Sequence, residues 1–282
     1  NSAAIVKHYG SQDLFDKTNI EGVQNIIDFC KNFDVKLYHI STLSVSGNVF
    51  AEDSFNASQV KEKTTFRENN LYINQDLSNI YIHTKFIAER LILENVANNE
   101  LSAIIIRLGN ITNRYSDGKF QINISENAFL NRLISFIKLK CIPDYLKTGY
   151  LEFTPVDVCA NAIVQIIQNN LKYTILHLFN NKHLDLTKMV DFLNEYGLEM
   201  HFVDNKEFVN IINDTLENNN NILSGIINDF DSDKKLQYES DVKLDNHFSN
   251  LVLRDIGFEW PEISKEYIFK YLNYLKNIGY IS

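Results

Sequence analysis

The chain has 282 residues, 45% of them apolar and 22% charged, which is the balance of a folded globular protein with a sizeable core. A formal net charge of -9 argues against a nucleic-acid groove, since such binding rests on a basic surface. No run of about 18 apolar residues occurs, and the three cysteines, Cys30, Cys141 and Cys159, are too scattered for a disulfide framework or a zinc site and read as the reduced thiols of a cytoplasmic protein.

Residues 1–6 read as a strand end feeding a loop. Over residues 13–31 the apolar positions Leu14, Phe15, Ile20, Val23, Ile26, Ile27 and Phe29 recur at helical spacing. Asn19 lies inside that helix, where its plain reading is polar packing at the surface or in the core. Residues 35–40 form an apolar run directly after the helix, as a parallel strand of a βαβ unit does, and its C-terminal end delivers Ser41 and Thr42. Ligands of open parallel sheets sit beyond that end of the strands. Residues 47–78 are polar and aperiodic, a connection long enough to wall a substrate entrance or simply to cross the surface.

A helix follows, carrying Tyr81 and Lys85 at its start and Phe86, Ile87, Leu91, Ile92 and Val96 behind them. Four residues apart on a helix, the phenol and the ammonium share one face. A free tyrosine loses its proton near pH ~10, and a nearby ammonium is expected to lower that value. With the Thr42 hydroxyl holding a carbonyl oxygen against the phenol, the three groups suit carbonyl reduction. A second pair with this spacing, Tyr115 and Lys119, spans the turn dipeptide Asp117-Gly118, so no helix aligns it.

Residues 101–107 contain the β-branched run Ile104-Ile105-Ile106, fit for a strand buried on both faces, and Gly109 follows closely. Residues 125–139 are an amphipathic helix. Pro155-Val156-Asp157 opens another, with Asp157 as a favourable first-turn carboxylate. Residues 176–179 read as a short strand in which His177 is a core histidine without an evident partner. Residues 185–282 supply helices over 186–196, 208–216, 222–230 and 263–278; Asp229, Asp231 and Asp233 read as a solvated face.

Seven blocks taken together resemble the extended short-chain dehydrogenase/reductases, and within them the thioester reductase domains of nonribosomal peptide synthetases. They are Asn1-Ser2-Ala3-Ala4-Ile5-Val6, Asn19-Ile20-Glu21-Gly22-Val23, Ser41-Thr42-Leu43-Ser44-Val45, Phe66-Arg67-Glu68-Asn69-Asn70-Leu71-Tyr72, Tyr81 to Glu89, Arg107-Leu108-Gly109-Asn110-Ile111-Thr112, and Thr154-Pro155-Val156-Asp157. The resemblance covers roughly the first 170 residues. It implies an α/β, Rossmann-like parallel sheet over residues 1–170, with a smaller, mainly helical subdomain over residues 171–282 that faces substrate and carrier.

The same resemblance implies NADPH as cofactor, bound by Ser2, Ala3, Ile40, Ser41, Tyr81, Lys85, Leu108, Gly109, Asn110 and Ile111. It makes Thr42, Tyr81 and Lys85 catalytic, sets Thr42, Leu43 and Ser44 against substrate, and calls for no metal. Leu108 stands where many relatives carry proline. The implied activity is reductive release of an acyl or peptidyl thioester, as an aldehyde or alcohol, from the phosphopantetheine arm of an upstream carrier domain. Another extended short-chain dehydrogenase/reductase, either a nucleotide-sugar epimerase or dehydratase or a fatty acyl-CoA reductase, or a catalytically silent fragment, are the alternatives. No G-x-G-x-x-G or G-x-x-G-x-x-G turn occurs, and the resemblance sets residue 1 at the end of the fourth strand. The Rossmann part is therefore expected to lack its N-terminal Gly-rich turn and, alone, to bind dinucleotide poorly.

Overall fold

A computed structural model describes residues 1–7, 10–47, 64–121, 123–124, 127–218, 220–223, 225–226, 230 and 242–281. In chain order the elements are α1 (Gln12–Phe15), a wider π turn (Asp16–Glu21), α2 (Gly22–Phe33), β1 (Leu37–Thr42), β2 (Thr64–Phe66), α3 (Ile80–Ala97), β3 (Ala103–Leu108), β4 (Ile111–Thr112), α4 (Ala128–Leu139), β5 (Cys141–Pro143), β6 (Tyr150–Leu151), β7 (Thr154–Pro155), α5 (Val156–Gln168), β8 (Ile175–Leu178), β9 (Leu184–Asp185), α6 (Leu186–Glu195), β10 (His201–Val203), α7 (Asn205–Asn218), β11 (Val242–Leu244), α8 (His247–Asp255) and α9 (Lys265–Asn277). The chain forms two compact units, one of residues 1–109, 162–179 and 240–259, the other of residues 110–161, 180–239 and 260–282.

The first unit is built on a parallel sheet in the order β1-β3-β8. Alternate positions of β1 are buried, whereas five consecutive residues of β3 are, as expected of a central strand covered on both faces. Asn1 pairs with the free edge of β1: its amino group donates to the Tyr38 carbonyl (2.7 Å) and its carbonyl accepts from Ile40 N (2.9 Å). Val23, Ile27, Ala88, Ile92, Leu101 and Ile105 close the core between α2, α3 and the sheet. A second parallel pair, β2 with β11, carries Phe66 and Val242 into a smaller apolar cluster with Val45. After β2 the chain runs over this unit with Arg67, Asn69, Tyr72, Asn74 and Ser78 exposed, anchored by Phe66, which is fully buried, and by Glu68, also buried, which accepts from Ser249 N (2.9 Å) and Ser249 Oγ (2.5 Å); residues 48–63 of the long connection lie outside the described residues.

The second unit is mainly helical, with the short pairs β5–β10 and β4–β7 parallel and β6–β9 antiparallel. Its core joins Leu133 and Phe136 of α4, Met189 and Leu193 of α6, Phe208 and Ile212 of α7, and Tyr267, Tyr271 and Leu275 of α9. The helices read from periodicity over 186–196, 208–216 and 263–278 appear as α6, α7 and α9, whereas α8 was not anticipated. The start of the helix read over 125–139, residues 224 and 227–229 of that read over 222–230, and Asp229, Asp231 and Asp233 lie outside the described residues; the described part of 222–230 shows the end of a 3₁₀ turn (Asn220–Leu223) and no α-helix.

Tyr271 is fully buried, and its hydroxyl has no hydrogen-bond partner among the described residues. A buried, unpaired hydroxyl costs about 1–3 kcal/mol. Tyr271→Phe, which keeps the ring, is therefore expected to raise stability by about 1 kcal/mol, read as a higher urea midpoint with an unchanged slope.

Candidate active site

Asn79 starts α3 by accepting from Tyr81 N (3.0 Å) and Ile82 N (3.2 Å), so the first helical residues are Ile80 and Tyr81. With the register set there, Tyr81, Lys85 and Glu89 fall at i, i+4 and i+8 on the face turned to the sheet, and all three are buried. The apolar positions Ile87, Leu91 and Val96, which signal the helix in the sequence, are only partly buried. The inner surface of α3 is shared between this polar stripe and the apolar Ala88 and Ile92, both fully buried.

Thr42 ends β1, and Leu43–Ser46 turn away in a 3₁₀ helix that Thr42 caps by accepting from Ser44 N (3.1 Å). Gly47 closes the turn at φ +53°, and a Cβ there would lie 2.7 Å from the Asp76 carbonyl, so both conformation and space call for glycine. The Thr42 and Tyr81 hydroxyls are hydrogen-bonded to each other, and Thr42 also donates to Ser44 Oγ (3.1 Å). Burial pushes the Tyr81 phenol above its ordinary range, with the Thr42 hydrogen bond opposing. Tyr81 is a neutral phenol at neutral pH, a proton donor facing a second hydroxyl.

Lys85 is 3% exposed; its Nζ donates to the Ile40 carbonyl (2.7 Å) and lies 3.5 Å from His39 Nε2. Burial lowers its pKa to about 8, with the Glu89 charge working the other way. Burial, then the charge of Lys85, hold His39 well below 6.5, so its imidazole is neutral and able to accept from the ammonium. The Tyr81 hydroxyl is governed by burial and by Thr42; the lowering that the sequence anticipates from Lys85 is not what sets it here.

Asn19 sits in the π turn of the first helix, a feature often found near functional sites. Its amide grips Ile5 at both ends, accepting from Ile5 N (2.8 Å) and donating to Ile5 O (3.0 Å), and reaches Thr84 Oγ1 (3.0 Å). It therefore fastens the loop of residues 1–7 to α3 beside Lys85 without touching the lysine. Ser2 and Ala3 are exposed on that loop, next to the β1 edge.

The other predicted residues divide by what their side chains already do. Ser41 is buried and its hydroxyl is given to Glu89 (2.5 Å), Leu43 is buried, and Ser44 is exposed beside Thr42. Leu108, opposite Thr42 in the sheet register, ends β3, and Gly109 N donates to the Leu178 carbonyl (3.1 Å). In the second unit Asn110 is exposed, its N–H donates to both oxygens of Glu152 (3.2 and 3.1 Å), and Ile111 opens β4. Asp157 is more than a first-turn carboxylate, since it also accepts from Tyr115 N (2.7 Å) and Ser116 N (3.1 Å). Tyr115 lies on a turn, stacked on Tyr267 with ring centroids 5.2 Å apart.

The largest omission of the sequence reading is a buried polar network behind the site. Ser41, Arg107 and His177 occupy one row across β1, β3 and β8. Arg107 grips Glu89 with Nε (3.1 Å to each oxygen) and Nη2 (2.7 Å), and neither side chain has any exposure. Its Nη2 also donates to the Asn70 carbonyl (2.9 Å), and its guanidinium lies 4.6 Å from the centre of the Phe66 ring. His177 is not partnerless. Nε2 faces Arg107 Nη1 (3.0 Å) and Nδ1 the Asp245 carbonyl (2.7 Å), which defines a neutral Nδ1–H tautomer; burial and the Arg107 charge lower its pKa to about 3. The available signal was an arginine inside an otherwise apolar strand, which needs a buried anion.

The residues present fit the nicotinamide-ribose end of a dinucleotide: two of the three Lys85 ammonium protons have acceptors among the described residues, leaving the third for a ribose hydroxyl beside Tyr81. Among the described residues no group of His, Cys, Asp and Glu is arranged to hold a metal ion, and no helix is long and apolar enough to cross a membrane.

Residues 1–163 match the model of an NAD-binding family described as Male sterility protein. No curated protein sequence matches the chain. Among solved structures, the thiolation-reductase di-domain of an archaeal nonribosomal peptide synthetase is 31% identical, with a TM-score of 0.83 over 99% of this chain and 57% of that one. The reductase domain of a nonribosomal peptide synthetase from Mycobacterium tuberculosis is 18% identical (TM-score 0.68; 93% of this chain, 65% of that one). UDP-glucuronic acid 4-epimerase from Bacillus cereus, in complex with NAD, is also 18% identical (TM-score 0.58; 98% of this chain, 73% of that one). The chain thus spans 57% of the length of the archaeal di-domain structure.

Proposed function

The chain belongs to the NAD-binding family described as Male sterility protein, and from that premise we propose that it carries the catalytic groups of an NADPH-dependent reductase acting on a thioester held by a carrier domain. The observation that carries this reading is the hydrogen bond between the Thr42 and Tyr81 hydroxyls with buried Lys85 one turn along the same helix face. The 31% identity to an archaeal thiolation-reductase di-domain favours a carrier-tethered substrate over a nucleotide sugar.

When bound, the reduced nicotinamide supplies the hydride. Tyr81 and Thr42 hold the carbonyl oxygen of the thioester, and Tyr81 gives that oxygen a proton as its charge develops. As the C–S bond breaks, the hydroxyl proton passes to the departing sulfur, releasing the pantetheine thiol and an aldehyde; release as the alcohol would take a second equivalent of reduced nicotinamide and a second proton from Tyr81. Lys85 holds the ribose, while Ser2, Ala3, Ile40, Leu108, Gly109, Asn110 and Ile111 are assigned to the cofactor largely through backbone, and Leu43 and Ser44 to the substrate. The diphosphate has no G-x-G-x-x-G turn to rest on in these residues. The mainly helical remainder, residues 171–282, is assigned to the carrier and its arm.

The test is NADPH oxidation by the intact protein that contains this chain, with a pantetheinyl thioester or its loaded carrier as substrate and UDP-glucuronic acid with NAD as the control. Aldehyde and free thiol should appear in step with NADPH consumption. An epimerised sugar without thioester turnover would overturn the reading. Because Lys85 titrates near 8 and must be charged to hold the ribose, kcat/KM should fall as pH rises through about 8.

A further inference from the structure

We propose that Glu89, clamped by Arg107, is a positioning residue for the reaction, fixing the end of β1 against the tyrosine helix through the hydroxyl of Ser41. The inference rests on the assignment of Thr42, Tyr81 and Lys85 just given, and goes beyond it by naming what holds them in place.

The geometry is specific. Glu89 lies one turn beyond Lys85 and two beyond Tyr81 on the buried stripe of α3, so it moves with both. Its carboxylate accepts a 2.5 Å hydrogen bond from Ser41 Oγ, the residue before Thr42. The bond thus ties the strand that delivers one reacting hydroxyl to the helix that delivers the other. Arg107 fills both oxygens of the same carboxylate, which fixes the plane in which Ser41 can be received.

Arg107 is in turn immobilised by His177, the Asn70 carbonyl and the Phe66 ring, while His177 N donates to Ser249 Oγ (2.7 Å). Each partner is itself buried or backbone. A carboxylate needed only to neutralise Arg107 would have no requirement for the serine.

The electrostatics run the same way. The charged and titratable groups that act on Lys85 are His39 from β1 and Glu89 from its own helix, the latter clamped by Arg107 of β3. Burial keeps His39 neutral, so Glu89 is the one that favours the charged ammonium. Removing it weakens the hold on the site twice, by freeing Ser41 and by leaving Lys85 less readily charged.

The experiment uses the intact protein with Ser41→Ala, Glu89→Gln and the double substitution Glu89→Gln/Arg107→Gln. Ser41→Ala is expected to lower kcat about tenfold with little change in KM. Glu89→Gln alone leaves Arg107 unpaired and is expected to unfold early. The double variant removes both charges and should regain its thermal midpoint, yet keep a lowered kcat. Competitive labelling of Lys85 with an amine reagent across pH should show its titration moved to lower pH in the double variant.

Parental kcat in both Ser41→Ala and the double variant, with an unmoved Lys85 labelling curve, would overturn the proposal. If the parent protein reduces no thioester, the functional reading falls, but the labelling curve still decides whether Glu89 sets the state of Lys85.

Discussion

Tyr81→Phe is expected to lower thioester reduction by about 10²- to 10⁴-fold, the range for losing a positioned acid, while leaving KM within a few-fold. The hydroxyl contributes as the carbonyl oxygen gains charge, so its loss falls on kcat more than on ground-state binding. The fold should survive, because the ring stays buried and the hydroxyl deleted is not one the core depends on. Its partner Thr42 keeps its bonds to Ser44 N and Ser44 Oγ. The measurement is a steady-state comparison of NADPH oxidation, with thermal unfolding recorded on the same samples. Undiminished kcat in a folded variant would remove Tyr81 from the mechanism, and Thr42→Val should then be equally silent.

Arg107→Met should have the largest effect on stability. Breaking a fully buried ion pair by deleting one partner costs about 3–5 kcal/mol, because the other charge is left in a medium that cannot solvate it. Glu89 would keep only the Ser41 hydroxyl, and His177 Nε2 would lose its donor. Against a total stability of about 5–15 kcal/mol for folded domains, such a loss is a large fraction. Lysine should not rescue it: an ammonium cannot contact both Glu89 oxygens, His177 and the Asn70 carbonyl from one planar fork. Urea unfolding of parent, Arg107→Met and Arg107→Lys measures both claims. A midpoint for Arg107→Met equal to the parent's would mean that the charge is solvated and the pair is not the buried keystone its geometry describes.

What the sequence determined by itself was local. The period of 3.6 placed α2, α3, α6, α7 and α9, the β-branched run marked β3, and four-residue spacing put Tyr81 and Lys85 on one helical face, because neighbours within a turn or a strand settle those features. It also told the two Tyr-x-x-x-Lys pairs apart, since Asp117-Gly118 turns the chain between Tyr115 and Lys119. Only the tertiary structure decided what that helical face meets. Ser41, Glu89, Arg107 and His177 are far apart along the chain, no periodicity links them, and His177 looked solitary until β8 came to lie beside β3. The same holds for Asn19, whose partners Ile5 and Thr84 come from opposite sides of it in sequence, and for α8, whose apolar face has meaning only once Ser249 reaches His177 and Glu68. Patterning along a chain records which side of an element is buried, but a buried charge is acceptable only when its partner arrives from elsewhere, and that is decided by the sheet register and the packing of α3 upon it.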